Sequence, residues 1–170
     1  MGKIIIRRGT RADTESFIRL LSEVRQGMTH KEWFYLDPPE EVRKMMENGT
    51  MQLWVAMDGD KLAGAFDALV PGLEDYNYGY HLGFSTEELM QVVNMDTAAV
   101  HPDYRGQHLQ RQLLQAAEEE LSGTGVKHLL CTIHPENIYS LQNAQAQGYT
   151  IQKTLPMYGS VRHILRKDIF

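Results

Sequence analysis

The chain is poor in the features that staple, anchor or target a protein. It has one cysteine, Cys131, in 170 residues, which excludes an internal disulfide framework and fits a reducing compartment. Its longest apolar runs fall far short of the roughly 20 residues a membrane helix needs. The opening MGKIIIRRGT has three consecutive apolar residues before its arginines, against the roughly 7 to 15 of a signal peptide. Gly2 is not followed by the Ser or Thr of a myristoylation site, because Ile6 and Arg7 stand there. Basic residues are outnumbered, 17 to 22, for a net charge of -5; that argues against a nucleic-acid backbone as partner and leaves small molecules or basic amines. The seven histidines show no metal spacing, since His128 and His134 bracket a strand and cannot share a helix face. These absences predict a cytoplasmic protein with no metal, no membrane contact and no nucleic-acid partner.

What is present is enough apolar residue, 42%, for one compact domain over residues 1–170. Ile4 to Arg7 reads as a short strand. Thr10 offers an N-cap to a helix that buries Phe17, Leu20, Leu21, Val24 and Met28 and ends at Gly27. A second helix, Pro38 to Glu47, carries Glu40 and Glu41 in its first turn and stops at Asn48-Gly49. Leu53 to Met57 and Leu62 to Val70 flank Asp58-Gly59 and predict a hairpin. Pro71 to Thr86 reads as a long loop, with a helical turn over Glu87 to Gln91.

The next segment, Asn94 to Leu114, is the most informative. It runs from a strand over Val92 to Val100, through His101-Pro102-Asp103-Tyr104-Arg105-Gly106, into a helix over Arg105 to Leu121 with Leu109, Leu113, Leu114, Ala117 and Leu121 inward. Such a junction leaves free backbone N–H groups at a helix start, an arrangement that binds anions and phosphates. Val126 to Thr132 is an apolar strand covered on both faces, with Cys131 a small core residue. Asn137 to Gln147 is a helix closed by Gly148, and strands over Thr150 to Leu155 and Val161 to Lys167 follow. The order is βααβββαβαββ.

That order and two local motifs resemble the GNAT acyltransferases. In that family the strand-helix junction reads Arg or Gln, two variable residues, Gly, one variable residue, then Gly or Ala. Here it is Arg105, Gly106, Gln107, His108, Leu109, Gln110, with His108 and Gln110 in place of the two small residues. A second motif, Pro135-Glu136-Asn137-Ile138-Tyr139-Ser140-Leu141 followed by Gly148-Tyr149, is similar to the family's Asn, two residues, Ala or Ser, then Gly and an aromatic. The resemblance implies an α/β (α+β) GNAT fold, a mixed, mostly antiparallel sheet of six to seven strands with four helices. It implies acetyl-CoA as co-substrate, bound by Ala98, Ala99, Val100, Arg105, Gly106, Gln107, His108, Leu109 and Gln110, with Asn137 and Ser140 against the pantetheine arm. Asn137 also has the residue type and place of a helix cap.

Acetyl transfer to a primary amine needs a neutral nucleophile, a donor for the tetrahedral oxyanion and a proton for the departing thiolate. By resemblance the oxyanion donor is the backbone N–H of Ala99 or Val100. The family's usual acid, a tyrosine seven residues after the motif Asn, is Ala144 here. Tyr139, Tyr149 and Tyr158 remain as substitutes, each equally readable as a packing residue. Asp96, on one strand face with Asn94, is either a base acting through a water or an ordinary strand carboxylate. The resemblance implies that Trp33, Phe34, Tyr35, Tyr78 and Tyr80 border the acceptor side of the cofactor cleft, although Trp33 and Phe34 read equally well as packing under a linker. The acceptor is a small-molecule or peptide amine, and edge strands leave room for a homodimer. A non-catalytic acyl-CoA-binding module is the alternative.

Overall fold

A computed structural model describes residues 2–169. Seven strands are ordered β1-β2-β3-β4-β5-β7-β6. They are β1 (Ile5–Arg8), β2 (Met51–Asp58), β3 (Lys61–Leu69), β4 (Val92–Val100), β5 (His128–Ile133), β6 (Thr150–Met157) and β7 (Ser160–Asp168). The helices are α1 (Thr14–Gln26), α2 (Pro39–Asn48), α3 (Thr86–Leu89), α4 (Leu109–Leu121) and α5 (Ile138–Ala146). The expected mixed, mostly antiparallel architecture is present: β4 and β5 are parallel, while β1 with β2, β5 with β7 and β6 with β7 are antiparallel. Among the described residues no helix is long and apolar enough to cross a membrane.

The elements differ from expectation where local chemistry overrides periodicity. Thr10 caps a single 3-10 turn over Arg11–Asp13 through a capping box with Asp13, so α1 begins at Thr14. The helix expected over Arg105 to Leu121 does not start at Arg105: Gly106 and His108 both have positive φ, which holds residues 105–108 as a loop and delays α4 to Leu109. The hairpin turn falls on Gly59-Asp60, one residue beyond Asp58-Gly59. The helical turn expected over Glu87 to Gln91 is present as α3 but sits slightly earlier, at Thr86–Leu89, because the Ser85 and Glu88 capping box opens it there.

Packing divides the chain into two compact units, Met1–Ala68 with Thr97–Glu120, and Leu69–Asp96 with Leu121–Phe170. In the first, Phe17, Leu20 and Leu21 of α1, Val42 and Met46 of α2, Leu53 to Ala56 of β2, and Leu113 and Ala117 of α4 are buried. Gly64 of β3 is needed where strand and helix come close: a Cβ there would lie 3.2 Å from the Ala99 carbonyl and 3.4 Å from Leu113 Cδ1.

In the second unit, Tyr78, Val92 and Leu130 form a buried cluster with Leu82, Phe84 and Met157 packed against it. The long loop expected over residues 71–86 is more ordered than its composition suggests. Asn77 is fully buried; its Nδ2 donates to the carbonyls of Gly72 (2.8 Å) and Leu89 (3.0 Å), and its Oδ1 accepts from Gly79 N–H (2.8 Å). Those three bonds set the 3-10 helix over Tyr78–Leu82. β6 is an edge strand with almost all its side chains exposed. Its register with β7 shifts between Ile151 and Lys153, and Pro156 sits near its end.

Candidate functional site

The first unit carries the strand-loop-helix junction. The first bond of the helical ladder runs from Gln112 N–H to the His108 carbonyl at 3.1 Å. By helix geometry the N–H groups of Leu109, Gln110 and Arg111 therefore have no acceptor within the helix. The first turn of α4 contains no carboxylate, and Arg105, Gly106, Gln107, His108 and Arg111 are exposed. The loop is braced by Gln112 Nε2, which donates to the Gln107 carbonyl at 2.9 Å.

Gly106 has φ +83 and a Cβ there would meet nothing within 4 Å; its need for glycine is purely torsional. His108, at φ +59, takes a left-handed conformation where the family pattern has glycine, so its side chain is carried at a torsional cost. Gln110 lies inside the first turn with ordinary φ. A loop of this kind presents N–H groups and arginines to solvent and can hold an anion.

Upstream of the loop, the chain is tied down by His101 and Tyr104. His101 N–H donates to the Ala63 carbonyl at 2.8 Å. Tyr104 is buried and its hydroxyl donates to Asp58 Oδ2 at 2.7 Å. That hydrogen bond, then burial and the Asp58 charge, pushes its hydroxyl up to about 12. Ala98, Ala99 and Val100 close β4 just before it. The aromatic stretch lies in this unit too: Trp33 ends a 3-10 turn and stacks on His30 at 4.5 Å between centroids, the Phe34 carbonyl accepts from Arg25 Nε at 3.2 Å, and Tyr35 is exposed.

The second unit gathers a different set. The β4–β5 ladder covers three pairs, Val92↔His128, Val93↔Leu129 and Asn94↔Leu130. Asn94 is buried and occupied with the preceding loop: its Oδ1 accepts from Tyr78 N–H (3.4 Å) and its Nδ2 donates to the Tyr76 carbonyl (3.0 Å). Beyond Asn94 comes Asp96, half-buried. Its charge acts on Tyr78 and on Arg162.

Around Asp96 stands a phenol and guanidinium cluster. The hydroxyls of Tyr78 and Tyr158 are 2.9 Å apart. Arg162, 6% exposed, donates from Nε to Thr132 Oγ1 (3.0 Å) and from Nη2 to the Thr132 carbonyl (3.4 Å). Its guanidinium carbon lies 5.8 Å from the centroid of the Tyr158 ring. Burial, then the Asp96 charge and the neighbouring Tyr158, raises the Tyr78 hydroxyl well above the usual tyrosine range. Burial draws the Arg162 guanidinium down, while the two tyrosines, Asp96 and Cys131 pull it back up.

Not every expected residue joins this cluster. Tyr139 is 70% exposed on α5 and Tyr149 is buried with the Lys167 ammonium 5.8 Å from its ring; neither is among the groups acting on Tyr78 or Arg162. Tyr80 is exposed and donates its hydroxyl to the Leu73 carbonyl at 2.6 Å. Tyr78 is a core phenol, not an exposed wall. Asn137 caps α5, its Oδ1 accepting from Ser140 N–H at 3.4 Å. Arg162 carries no signal in the sequence, because an arginine in an alternating C-terminal strand reads as solvent-facing. Among the described residues, no group of three or more His, Cys, Asp and Glu is placed to hold a metal ion.

Residues 18–149 match the acetyltransferase (GNAT) family. The structure is similar to a GNAT-family acetyltransferase of Streptococcus pneumoniae, with 16% identity, a TM-score of 0.76, and coverage of 99% of this chain and 100% of that one. It is similar to the Salmonella typhimurium protein yncA, solved with its cofactor acetyl-CoA, at 15% identity and TM-score 0.74 over 99% and 95% of the two chains. A third likeness is to a ribosomal-protein-alanine N-acetyltransferase of Brucella melitensis, at 19% identity and TM-score 0.73 over 97% and 99%. No curated protein matches the sequence at a significant level.

Proposed function

The chain belongs to the acetyltransferase (GNAT) family, and from that premise we propose that it moves an acetyl group from acetyl-CoA to a primary amine by direct transfer in a ternary complex. The observation that carries this reading is the 105–108 loop: two left-handed residues in front of a helix whose first turn has no carboxylate. The pyrophosphate of the thioester substrate fits such a cradle, with backbone N–H groups as donors and the helix dipole adding on the order of 0.3 to 1 kcal/mol. Arg105 and Arg111, both exposed, add positive charge. Asn137 and Ser140 take the pantetheine arm.

In the reaction, Asp96 draws a proton from the amine through a water, and the N–H of Ala99 or Val100 receives the tetrahedral oxyanion. Asn94, held by two hydrogen bonds to the 76–78 segment, positions that segment. Trp33, Phe34, Tyr35 and Tyr80 supply aromatic surface suited to a cationic amine. The acceptor is a small amine or an exposed peptide amine; the Brucella protein, named for acetylating a ribosomal-protein alanine, supports the peptide class. One observation favours a second reading, a non-catalytic acyl-CoA-binding module: Ala144, a buried methyl, replaces the family's usual acid.

A calorimetric titration with acetyl-CoA tests the cradle. Gln107→Pro, which removes a loop N–H and constrains the backbone, is expected to abolish binding; unchanged affinity would place the pyrophosphate elsewhere. Thiol release with spermidine, L-lysine, kanamycin and an N-terminal alanyl peptide separates enzyme from module, since a module binds acetyl-CoA and releases none.

A further inference from the structure

The proposed transfer still lacks a proton for the departing thiolate, because the family's donor position is the buried Ala144. The second unit supplies a route. The Tyr78 and Tyr158 hydroxyls are 2.9 Å apart, within hydrogen-bond range, so one phenol can hand its proton to the other. Tyr78 is 4% exposed and Tyr158 40%, so the pair leads from the interior to the surface. Arg162 is anchored on Thr132 by two hydrogen bonds and faces the Tyr158 ring.

The backbone at Tyr158 gives an independent pointer. Tyr158 and Gly159 form the β6–β7 turn with φ +56 and +74. Both central residues of such a turn need positive φ, and Asn, Asp or Gly meets that with far less strain than an aromatic residue. A tyrosine is kept at a strained position, and its hydroxyl is the one that closes on Tyr78. Strain held at a residue whose side chain completes a polar chain is a signature of a functional position.

We propose that Tyr158 gives the proton to the leaving thiolate and that Tyr78 and Asp96 replenish it, so that Asp96, Tyr78 and Tyr158 form one proton circuit. This rests on the acetyl-transfer reading above. The neutral amine attacks the thioester carbonyl carbon; a C–N bond forms, the C–S bond breaks, and sulfur leaves with the bonding pair. The surplus proton on nitrogen goes to the Asp96 carboxylate. Tyr158 gives its proton to sulfur, Tyr78 reprotonates Tyr158, and Asp96 returns its proton to Tyr78. One proton leaves nitrogen and one reaches sulfur, and all three side chains end as they began. Burial and the Asp96 charge keep the Tyr78 phenol protonated at neutral pH, and the Arg162 guanidinium offsets the transient Tyr158 phenolate. Arg162 is a positioning residue in this scheme.

The test measures thiol release from acetyl-CoA with the amine panel above. Tyr158→Phe keeps the ring and is expected to lower kcat on the order of 10²-fold with KM for acetyl-CoA unchanged. Because the two phenols act in series, Tyr78→Phe combined with Tyr158→Phe is expected to be no slower than the slower single variant. Tyr158→Asn relieves the turn but gives up the bond to Tyr78 and the Arg162 contact, so its Tm is expected to stay within roughly 2 to 4 °C of wild type while it loses as much kcat, which shows that the loss of activity is not a loss of fold. A Tyr158→Phe variant with wild-type kcat, or a double variant whose loss is the product of the two single losses, overturns the circuit. Wild-type protein that binds acetyl-CoA yet releases no thiol with any amine on the panel overturns the acetyl-transfer reading itself, and the circuit with it.

Discussion

His108→Gly is expected to stabilise the protein. A left-handed conformation costs a residue with a Cβ roughly 1 to 2 kcal/mol, and His108 pays that at φ +59. Glycine removes the cost but gains freedom in the unfolded chain, worth roughly 0.5 to 1 kcal/mol against folding. His108 is exposed, so little packing is lost with its ring. The net gain is about 0.5 to 1 kcal/mol, or roughly 1 to 4 °C in Tm for a chain of this size. His108→Ala keeps the Cβ and the torsion, so it is expected to stay within about 0.5 kcal/mol of wild type. Gly106→Ala runs the experiment backwards: with no atom within 4 Å of the added Cβ, it takes on the torsional cost of about 1 to 2 kcal/mol and recovers the roughly 0.5 to 1 kcal/mol of unfolded-chain freedom, for a net loss of about 0.5 to 1 kcal/mol. Thermal melts followed by circular dichroism, with urea unfolding alongside, measure all three. If His108→Gly melts at or below both wild type and His108→Ala, the imidazole contributes more than the torsion costs, and the reasoning fails.

Asn77→Ala leaves the carbonyls of Gly72 and Leu89 and the N–H of Gly79 without their partner inside a buried loop. It is expected to cost about 3 kcal/mol, read as a fall in urea midpoint at constant slope. The Tyr104 hydroxyl, pushed up to about 12 from an ordinary 10 by its hydrogen bond to Asp58, by burial and by the Asp58 charge, is raised in the folded state. Its contribution is therefore whole below pH 10 and is lost as pH climbs from 10 toward 12. Chemical-denaturation stability is expected to decline across that window in the wild type and less steeply in Tyr104→Phe.

The parts of the fold that sequence reveals are those governed by neighbours in the chain. Leu109, Leu113, Leu114, Ala117 and Leu121 are all buried because their spacing fits one helix face. Gly49 ends α2 with φ +83, as Asn48-Gly49 predicts. The strand-loop-helix junction is legible too, although its helix starts at Leu109 and not Arg105, since residue type alone does not announce that His108 goes left-handed. The parts that sequence conceals depend on distant partners. Tyr78 and Tyr158 are 80 residues apart in sequence and carry no spacing signal. Asn77 sits in a stretch whose Gly, Tyr and acidic composition reads as a featureless loop, yet one amide side chain organises it. Arg162 looks like the polar half of an alternating strand, and only burial beside Thr132 and Asp96 marks it as more.

The irregularities of β6 bear on how the protein behaves in concentrated solution. A regular outermost strand would offer a ready row of amides and carbonyls to a neighbouring molecule. Here the register slip between Ile151 and Lys153 breaks that row near its start, Lys153 puts a charge beside the break, and Pro156 removes a donor near its end. The last hairpin is thus its own guard against fibre growth, and straightening it for a tidier sheet would trade solubility for regularity.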